Sequence, residues 1–189
     1  MSRSRATDVS TVRKSVGQDR EGKIAGLAVV VMAAGLGKRM NSKQAKVLHP
    51  VAGQAMVLYS VGLGLRVAGE PLAVVVGHQA ELVRQAINQA VLGKSGVRVS
   101  IVEQRKQLGT GHAVLQSRPV FGVGKRGAPS SYLILNGDTP LLREETVREL
   151  LRVHEAERAT VTILTAELDD ASGYGRVVRA PSAERSVVR

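Results

Sequence analysis

Short apolar runs rich in β-branched residues recur along this 189-residue chain, and longer amphipathic segments separate them. Such runs are typical of buried strands, whereas apolar residues spaced three and four apart predict helices. We predict strands at Leu27–Met32, Leu72–Val76, Val97–Val102, Tyr132–Leu135 and Thr160–Thr165. We predict helices at Met56–Val67, Glu81–Val91, Thr110–Gln116 and Glu144–Glu157.

The alternation of strands and helices predicts an α/β fold with a mostly parallel sheet, built from βαβ units. Ligands of such sheets bind beyond the carboxyl ends of the strands, so the residues that follow each strand are the most informative about function. Residues 1–23 are polar and lack an apolar period, which predicts a disordered basic tail. Residues 24–189 are predicted to form a single domain.

Composition narrows the classes of partner. The net charge is +11, cysteine is absent and aromatic residues make up only 2% of the chain. The basic residues are scattered and stacking platforms are scarce, so we expect anionic small substrates, with a nucleic-acid binder as the alternative. The absence of cysteine excludes disulfides, thiol catalysis and cysteine-ligated zinc, and it fits a reducing cytoplasm. No apolar run is long enough to predict a membrane span.

The stretch LAVVVMAAGLGKRM, residues 27–40, joins a predicted strand to a glycine-rich basic turn. Its spacing fits neither the P-loop nor the dinucleotide fingerprint, because Met32 and Met40 stand where those motifs require glycine. The small residues at 33–35 would still let backbone N–H groups approach an anion, and the cations at 38 and 39 would neutralise phosphate charge. We therefore predict a phosphate cradle, with a plain strand-to-helix turn as the alternative.

Polar side chains also follow two other predicted strands. Asp138 comes after Tyr132–Leu135 and offers a hard carboxylate oxygen suited to Mg²⁺, although an Asx turn would use the same group. Gln104 follows Val97–Val102 and carries the donor and the acceptor needed to recognise a base edge. His112 lies nearby and is interpreted as a packed histidine.

With these pieces in order, the chain resembles the pyrophosphorylase domain of the bifunctional N-acetylglucosamine-1-phosphate uridyltransferase/glucosamine-1-phosphate acetyltransferase family, from about Leu27 to Arg179. The segment MAAGLGKRM is shared by many sugar nucleotidyltransferases, whereas the LGTGHA and GYGR segments point more narrowly to this family. The resemblance rests on Met32–Met40 (MAAGLGKRM), Lys46–His49 (KVLH), Gln107–Ala113 (QLGTGHA), Gly137–Leu142 (GDTPLL) and Gly173–Arg176 (GYGR).

The resemblance implies a Rossmann-like three-layer nucleotide-diphospho-sugar transferase fold. It implies transfer of UMP from UTP to N-acetylglucosamine 1-phosphate, giving pyrophosphate and UDP-N-acetylglucosamine, a peptidoglycan precursor. It also implies Mg²⁺ held by Asp138, Arg39 on the departing pyrophosphate, Lys46 on the phosphates and a sugar contact at Gly175. The nucleotide would be bound by Met32, Ala33, Ala34, Gly35, Lys46, Gln104, Gly109, Thr110, Asn136 and Gly137.

Beyond Arg176 the family continues into segments that this sequence, which ends at Arg189, does not contain. Those segments carry further sugar contacts, a second metal ligand and the β-helix that forms the acetyltransferase and the trimer. We therefore expect a member that is incomplete at its C-terminal end, and the resemblance leaves its oligomeric state open. The alternatives are a non-catalytic nucleotide-binding fragment and a related sugar-phosphate or molybdopterin nucleotidyltransferase that uses another nucleoside triphosphate.

Overall fold

The computed structural model describes residues 22–35, 37, 40–91, 97–179 and 186–188. The predicted tail lies outside these residues except for its last two positions. The chain divides into two compact units, one ending at Glu149 and the other beginning at Leu150. No helix in the described part of the chain is both long and apolar enough to cross a membrane.

The strands of the first unit lie close to where the apolar runs predict them. Four of the five predicted strands are confirmed, and the four predicted helices are confirmed to within one residue at each end. The strands are β1 (Leu27–Ala33), β2 (Pro50–Val51), β3 (Gln54–Ala55), β4 (Leu72–Val76), β5 (Val99–Glu103) and β6 (Ser131–Asn136). The helices are α1 (Met56–Val67), α2 (Ala80–Val91), α3 (Thr110–Gln116), α4 (Arg118–Phe121) and α5 (Glu144–Ala156), with a short 3₁₀ helix at Lys46–Leu48.

The main sheet is parallel throughout, with the strand order β5-β4-β1-β6. The register sets Ala33 opposite Val76 on one side of β1, and Met32 opposite Asn136 on the other. Because all four strands run in the same direction, their carboxyl ends meet along one edge of the sheet. The predicted α/β fold with a parallel sheet is confirmed.

Helices cover both faces of this sheet. On one face, Val29 packs so closely against α1 that a Cβ at Gly64 would lie 2.9 Å from its Cγ1 atom. On the other face, Ala28 and Val30 form a buried cluster with Ala113 of α3 and Phe121 of α4. Strands buried on both faces read as continuous apolar runs, which is why β1 and β4 were predictable from sequence.

Glu144 in the first turn of α5 connects this helix to α1. Its carboxylate accepts hydrogen bonds from Arg66 Nε and Arg148 Nε, both at 2.9 Å. Arg148 also donates to the carbonyl of Gly22 at 2.9 Å. The Arg148 guanidinium is the main cause of the lowered pKa of Glu144. The network therefore joins three separate segments of the first unit through one carboxylate.

The second unit lacks one predicted strand. The structure has no strand at Thr160–Thr165, and Val161 and Ile163 are 72% and 52% exposed. A strand requires a neighbour that satisfies its backbone N–H and C=O groups, and no described residue forms a ladder with this segment. The prediction was wrong because β-branched side chains favour a strand without supplying its partner. This unit instead contains an antiparallel pair, β7 (Val177–Arg179) and β8 (Ser186–Val188).

Candidate functional site

A cavity of about 550 Å³ lies at the carboxyl ends of β1, β5 and β6. The position agrees with the rule that ligands of parallel α/β sheets bind beyond the strand ends. The structure brings together most of the residues that sequence reasoning assigned to a nucleotide and its metal. Those that line the cavity are Met32, Ala34, Gly35, Lys46, Gln104, Gly109, Thr110, Asn136 and Asp138.

The backbone after β1 is held in place from two sides. Gln107 Nε2 donates to the carbonyl of Ala34 at 2.9 Å. A Cβ at Gly77 would lie 2.8 Å from the same carbonyl, so only glycine fits there without a shift. Gly35, by contrast, has no atom of a described residue within 4 Å of where its Cβ would be, apart from its own chain neighbours. The open space in front of Gly35 is therefore available to a ligand that approaches the backbone closely.

Asp138 and Lys46 form an ion pair within the cavity. Lys46 Nζ donates to Asp138 Oδ2 at 2.7 Å, and the two side chains are 34% and 39% exposed for Asp138 and Lys46 respectively. The loop that carries Asp138 is fixed by the carbonyl of Asn136, which accepts from Ser60 Oγ at 2.7 Å and Thr139 Oγ1 at 2.9 Å. The two charges are thus placed side by side by elements that lie far apart in sequence.

The donor set fits Mg²⁺ in one particular way. Of the described residues lining the cavity, Asp138 alone carries a carboxylate. The described residues also contain no group of three or more histidine, cysteine or acidic side chains able to hold a metal. Mg²⁺ is commonly bound through one or two carboxylates together with substrate phosphates and water. Asp138 therefore suits a metal ion that arrives with a nucleotide better than one held by protein alone.

Gln104 is buried, only 4% exposed, at the end of β5. Its Nε2 lies 3.1 Å from the carbonyl oxygen of Gly109 and 3.0 Å from Nδ1 of His112. A carbonyl only accepts, so the amide nitrogen of Gln104 must face Gly109 and donate to it. No described residue donates to Gln104 Oε1, which leaves an acceptor for a ligand.

Some predicted site residues do not line the cavity. Ala33 is buried in β1, and Gly137 packs behind the wall, with its N–H donating to the Met32 carbonyl at 2.9 Å. Arg39 lies outside the described residues. Gly175 belongs to the second unit, where it is exposed.

Sequence reasoning also missed several lining residues. Gln107 and Ala113 fall within the QLGTGHA segment, and Gly37 and Met40 within MAAGLGKRM, so the motifs themselves held the signal. Val47 carries no chemical signal, and its place in the wall follows only from its position after Lys46.

The parallel sheet lies between two layers of helices, and the cavity at its carboxyl edge holds a lysine–aspartate pair and a buried amide. This is the arrangement expected of a nucleotidyltransferase. The sequence agrees: residues 29–180 match the family described as MobA-like NTP transferase domain. The chain belongs to this family.

Two relatives are described as bifunctional proteins. The chain is 46% identical over 153 residues to the bifunctional protein GlmU of Syntrophotalea carbinolica, covering 81% of this chain and 31% of that protein. It is 45% identical over 159 residues to GlmU of Exiguobacterium sibiricum, covering 84% of this chain and 33% of the relative. The chain thus spans about a third of the length of these relatives.

Solved structures support the fold. A nucleotidyl transferase from Methanothermobacter thermautotroptrophicus superposes with a TM-score of 0.51 at 25% identity, covering 67% of this chain and 56% of the other. Rv0371c from Mycobacterium tuberculosis gives the same TM-score, 0.51, at 20% identity, over 69% of this chain and 61% of the other. The nucleotide-diphospho-sugar transferase fold expected from sequence is confirmed.

Proposed function

We propose that this domain transfers UMP from UTP to N-acetylglucosamine 1-phosphate, giving UDP-N-acetylglucosamine and pyrophosphate. One observation carries the proposal: the amide of Gln104, the ammonium group of Lys46 and the carboxylate of Asp138 line the same cavity. These groups are suited to recognising a base, binding phosphate and holding a metal ion, respectively. Similarity to the GlmU relatives supports the choice of the nucleotide and the sugar.

The orientation of Gln104 favours uracil. Its Nε2 already donates to the carbonyl of Gly109, so Oε1 is the atom proposed to meet the base. Uracil presents the N3–H donor to such an acceptor, whereas cytosine presents an unprotonated N3 there. Gly109 and Thr110 line the same cavity, and their backbone N–H groups would serve the uracil carbonyls. With a cytidine nucleotide, Gln104 Oε1 and cytosine N3 would both be acceptors, so no hydrogen bond would form between them.

The residues around the phosphates act through charge and alignment. An oxygen of the sugar phosphate attacks the α-phosphorus of UTP, a new P–O bond forms, and the bond to the bridging oxygen of pyrophosphate breaks. The attacking oxygen is already ionised, so no general base is required, and alignment with charge neutralisation supplies the catalysis. Lys46 would hold the phosphates and the backbone at Ala34 and Gly35 would cradle them. Arg39 is proposed to take the charge of the leaving group.

Asp138 would hold the divalent cation, for which we propose Mg²⁺. When bound, this ion neutralises the triphosphate charge and polarises its oxygens. Because Lys46 is paired with Asp138 before any ligand arrives, it lies within reach of whatever anion the metal brings. The pair thus prepares both charges for a nucleotide–metal complex.

The deciding experiment measures pyrophosphate release by the 189-residue chain from UTP, N-acetylglucosamine 1-phosphate and Mg²⁺. We expect release with UTP that exceeds release with CTP, GTP or ATP, and its loss in Lys46→Ala. Lys43→Ala is the matched control, because this exposed lysine lies in the same loop but does not line the cavity. Equal effects of the two substitutions would contradict the assignment of Lys46 to the phosphates.

The alternatives predict other outcomes of the same assay. Binding of UTP without release of pyrophosphate would identify a non-catalytic nucleotide-binding domain. A preference for CTP or GTP would identify a related nucleotidyltransferase. Strongly salt-dependent binding to RNA or DNA, with no affinity for nucleotides, would identify a nucleic-acid binder.

A further inference from the structure

Gln79 attaches the loop before Lys46 to the sheet through both ends of its side-chain amide. Its Oε1 accepts the backbone N–H of Ala45 at 2.7 Å, and its Nε2 donates to the carbonyl of Lys43 at 2.7 Å. Gln79 lies between β4 and α2, 34 residues away from Ala45 in sequence. A single amide therefore clamps a segment that has no strand or α-helix of its own.

The clamp acts directly on the backbone that presents Lys46. Ala45 is 1% exposed and is the N-cap residue of the short helix that begins at Lys46. Its buried N–H must find a partner, and Gln79 Oε1 supplies it. The backbone of Gly37 also approaches so closely that a Cβ there would lie 2.8 Å from Lys46 Cβ. Lys46 is thus held between the glycine turn and the clamped loop.

The backbone of Gln79 is itself in an unusual state. Its φ angle is +54°, in the left-handed region that residues with side chains rarely adopt. The conformation is maintained by the adjacent elements, since Gln79 bridges to Gly77 and its carbonyl accepts from Val83 N in the first turns of α2 at 3.2 Å. Backbone strain of this kind is often kept at functional sites. Here it directs an amide back toward the loop rather than out into solvent.

We propose that Gln79 is a positioning residue for nucleotide binding, which keeps Lys46 where it meets the phosphates. This role rests on the proposed function, because it acts only through the contact of Lys46 with a nucleotide. The expected signature is weaker binding of a ligand that carries phosphates, with unaltered binding of one that does not. Removing the clamp should weaken UTP binding by about threefold to tenfold, the size of one lost hydrogen bond, and should leave the nucleoside uridine unaffected.

The test is a double-mutant cycle on the full chain, with the dissociation constants of UTP and uridine measured in the presence of Mg²⁺. The variants are Gln79→Gly, Lys46→Ala and the two combined. Glycine removes the amide while relieving the positive φ angle, so folding is favoured. Gln85→Ala is the matched control. Among the described residues, the side chain of this exposed glutamine of α2 bonds to Glu81 of its own helix and not to the Lys46 loop.

We expect Gln79→Gly to weaken UTP but not uridine, and to have less than a twofold effect once Lys46 is already alanine. Gln79→Glu, which keeps an acceptor for Ala45 N–H, should recover part of the affinity. Equal weakening of UTP and uridine, or the same loss in the Lys46→Ala background, would overturn the positioning role. An unaltered dissociation constant of UTP in Gln79→Gly would also overturn the positioning role.

Failure of the proposed function gives a different pattern. If Lys46→Ala binds UTP as tightly as the wild type, the phosphate role of Lys46 is wrong, and the role of Gln79 is wrong with it. If Lys46→Ala weakens UTP and Gln79→Gly does not, the proposed function stands and only the positioning role is overturned. Melting temperatures of all variants exclude a general loss of folding as the cause.

Discussion

Replacing Gly137 by alanine is expected to destabilise the loop that carries Asp138. The added Cβ would lie 2.9 Å from the Met32 carbonyl oxygen and 3.4 Å from Val47 Cγ1. That carbonyl belongs to β1 and already accepts the N–H of Gly137 at 2.9 Å. Since β1 is the centre of the buried sheet, the loop rather than the strand must move.

The size of the effect follows from this geometry. To bring the contact from 2.9 Å to an ordinary 3.4 Å, the loop must withdraw by about 0.5 Å, which lengthens its hydrogen bond to Met32. Overpacking of this kind costs about 1–3 kcal/mol, and a chain of this length loses roughly 2–4 °C in Tm per kcal/mol. We expect the Tm to fall by about 2–12 °C. UTP binding should weaken as well, because Asp138 moves with the loop.

Thermal unfolding by circular dichroism checks the prediction, with Gly62→Ala as the matched control. A Cβ at Gly62 in α1 meets only the end of the flexible Arg66 side chain, at 3.4 Å. Alanine is favoured over glycine in a helix interior by roughly 0.5–1 kcal/mol, so this variant should be more stable than the wild type. The same substitution is thus expected to lower the Tm at position 137 and to raise it at position 62. A Gly137→Ala variant that melts at or above the wild-type temperature would refute the tight approach to β1.

Three further substitutions test the cavity and the charge network. Gly35→Ala adds a methyl group that, chain neighbours apart, meets no atom of the described residues within 4 Å, so Tm should be unchanged. UTP affinity, measured by titration calorimetry, should fall at least about tenfold through loss of a contact to an anion; an unchanged affinity would place the nucleotide elsewhere. Asp138→Asn should abolish the stimulation of UTP binding by Mg²⁺. It should also strengthen UTP binding without metal, because Lys46 is released from its ion pair. Stimulation by Mg²⁺ that persists in this variant would exclude Asp138 as the metal ligand. Glu144→Gln should lower the free energy of unfolding by up to about 1 kcal/mol near neutral pH, the value of a partly exposed ion pair. Arg148 lowers the folded-state pKa of Glu144, so this stability is present above the unfolded-state pKa of about 4.3 and is lost as pH falls through the folded-state pKa. Urea unfolding measures the difference in free energy of unfolding between the wild type and Glu144→Gln. A difference that stayed the same under acidic conditions would contradict the role of the ion pair.

The position of the site was predictable because it depends on topology. Once apolar runs predict parallel strands, the residues that follow them must meet at one edge of the sheet. Gln104 and Asp138 lie 34 positions apart in sequence, yet line one cavity, since each follows a strand of the same sheet. The segment Thr160–Thr165 shows the limit of that reasoning. Its composition favours a strand, but a strand also depends on a partner that no local pattern specifies.

Contacts between side chains and distant backbone were not predictable for a related reason. Nothing in the spacing of the segment after β4 indicates that Gln79 bonds to Lys43 and Ala45. The contact depends on a positive φ angle at Gln79, which residue preferences argue against. Tertiary structure overrides local preference here, as is common at functional sites.

The ion pair of Lys46 and Asp138 changes how the two residues are understood. Sequence reasoning treats them as separate ligands, one for phosphate and one for metal, whereas the structure pairs them at 2.7 Å. Both side chains are more than a third exposed, so opening the pair costs no more than about 1 kcal/mol. A metal ion alone would have to displace Lys46 and leave two cations side by side, and a nucleotide alone would have to approach the carboxylate. A nucleotide–metal complex avoids both penalties, because it supplies an anion for Lys46 while it supplies a cation for Asp138. We therefore expect metal and nucleotide to raise each other's affinity by the same factor, so that the cavity binds the complex more tightly than either component.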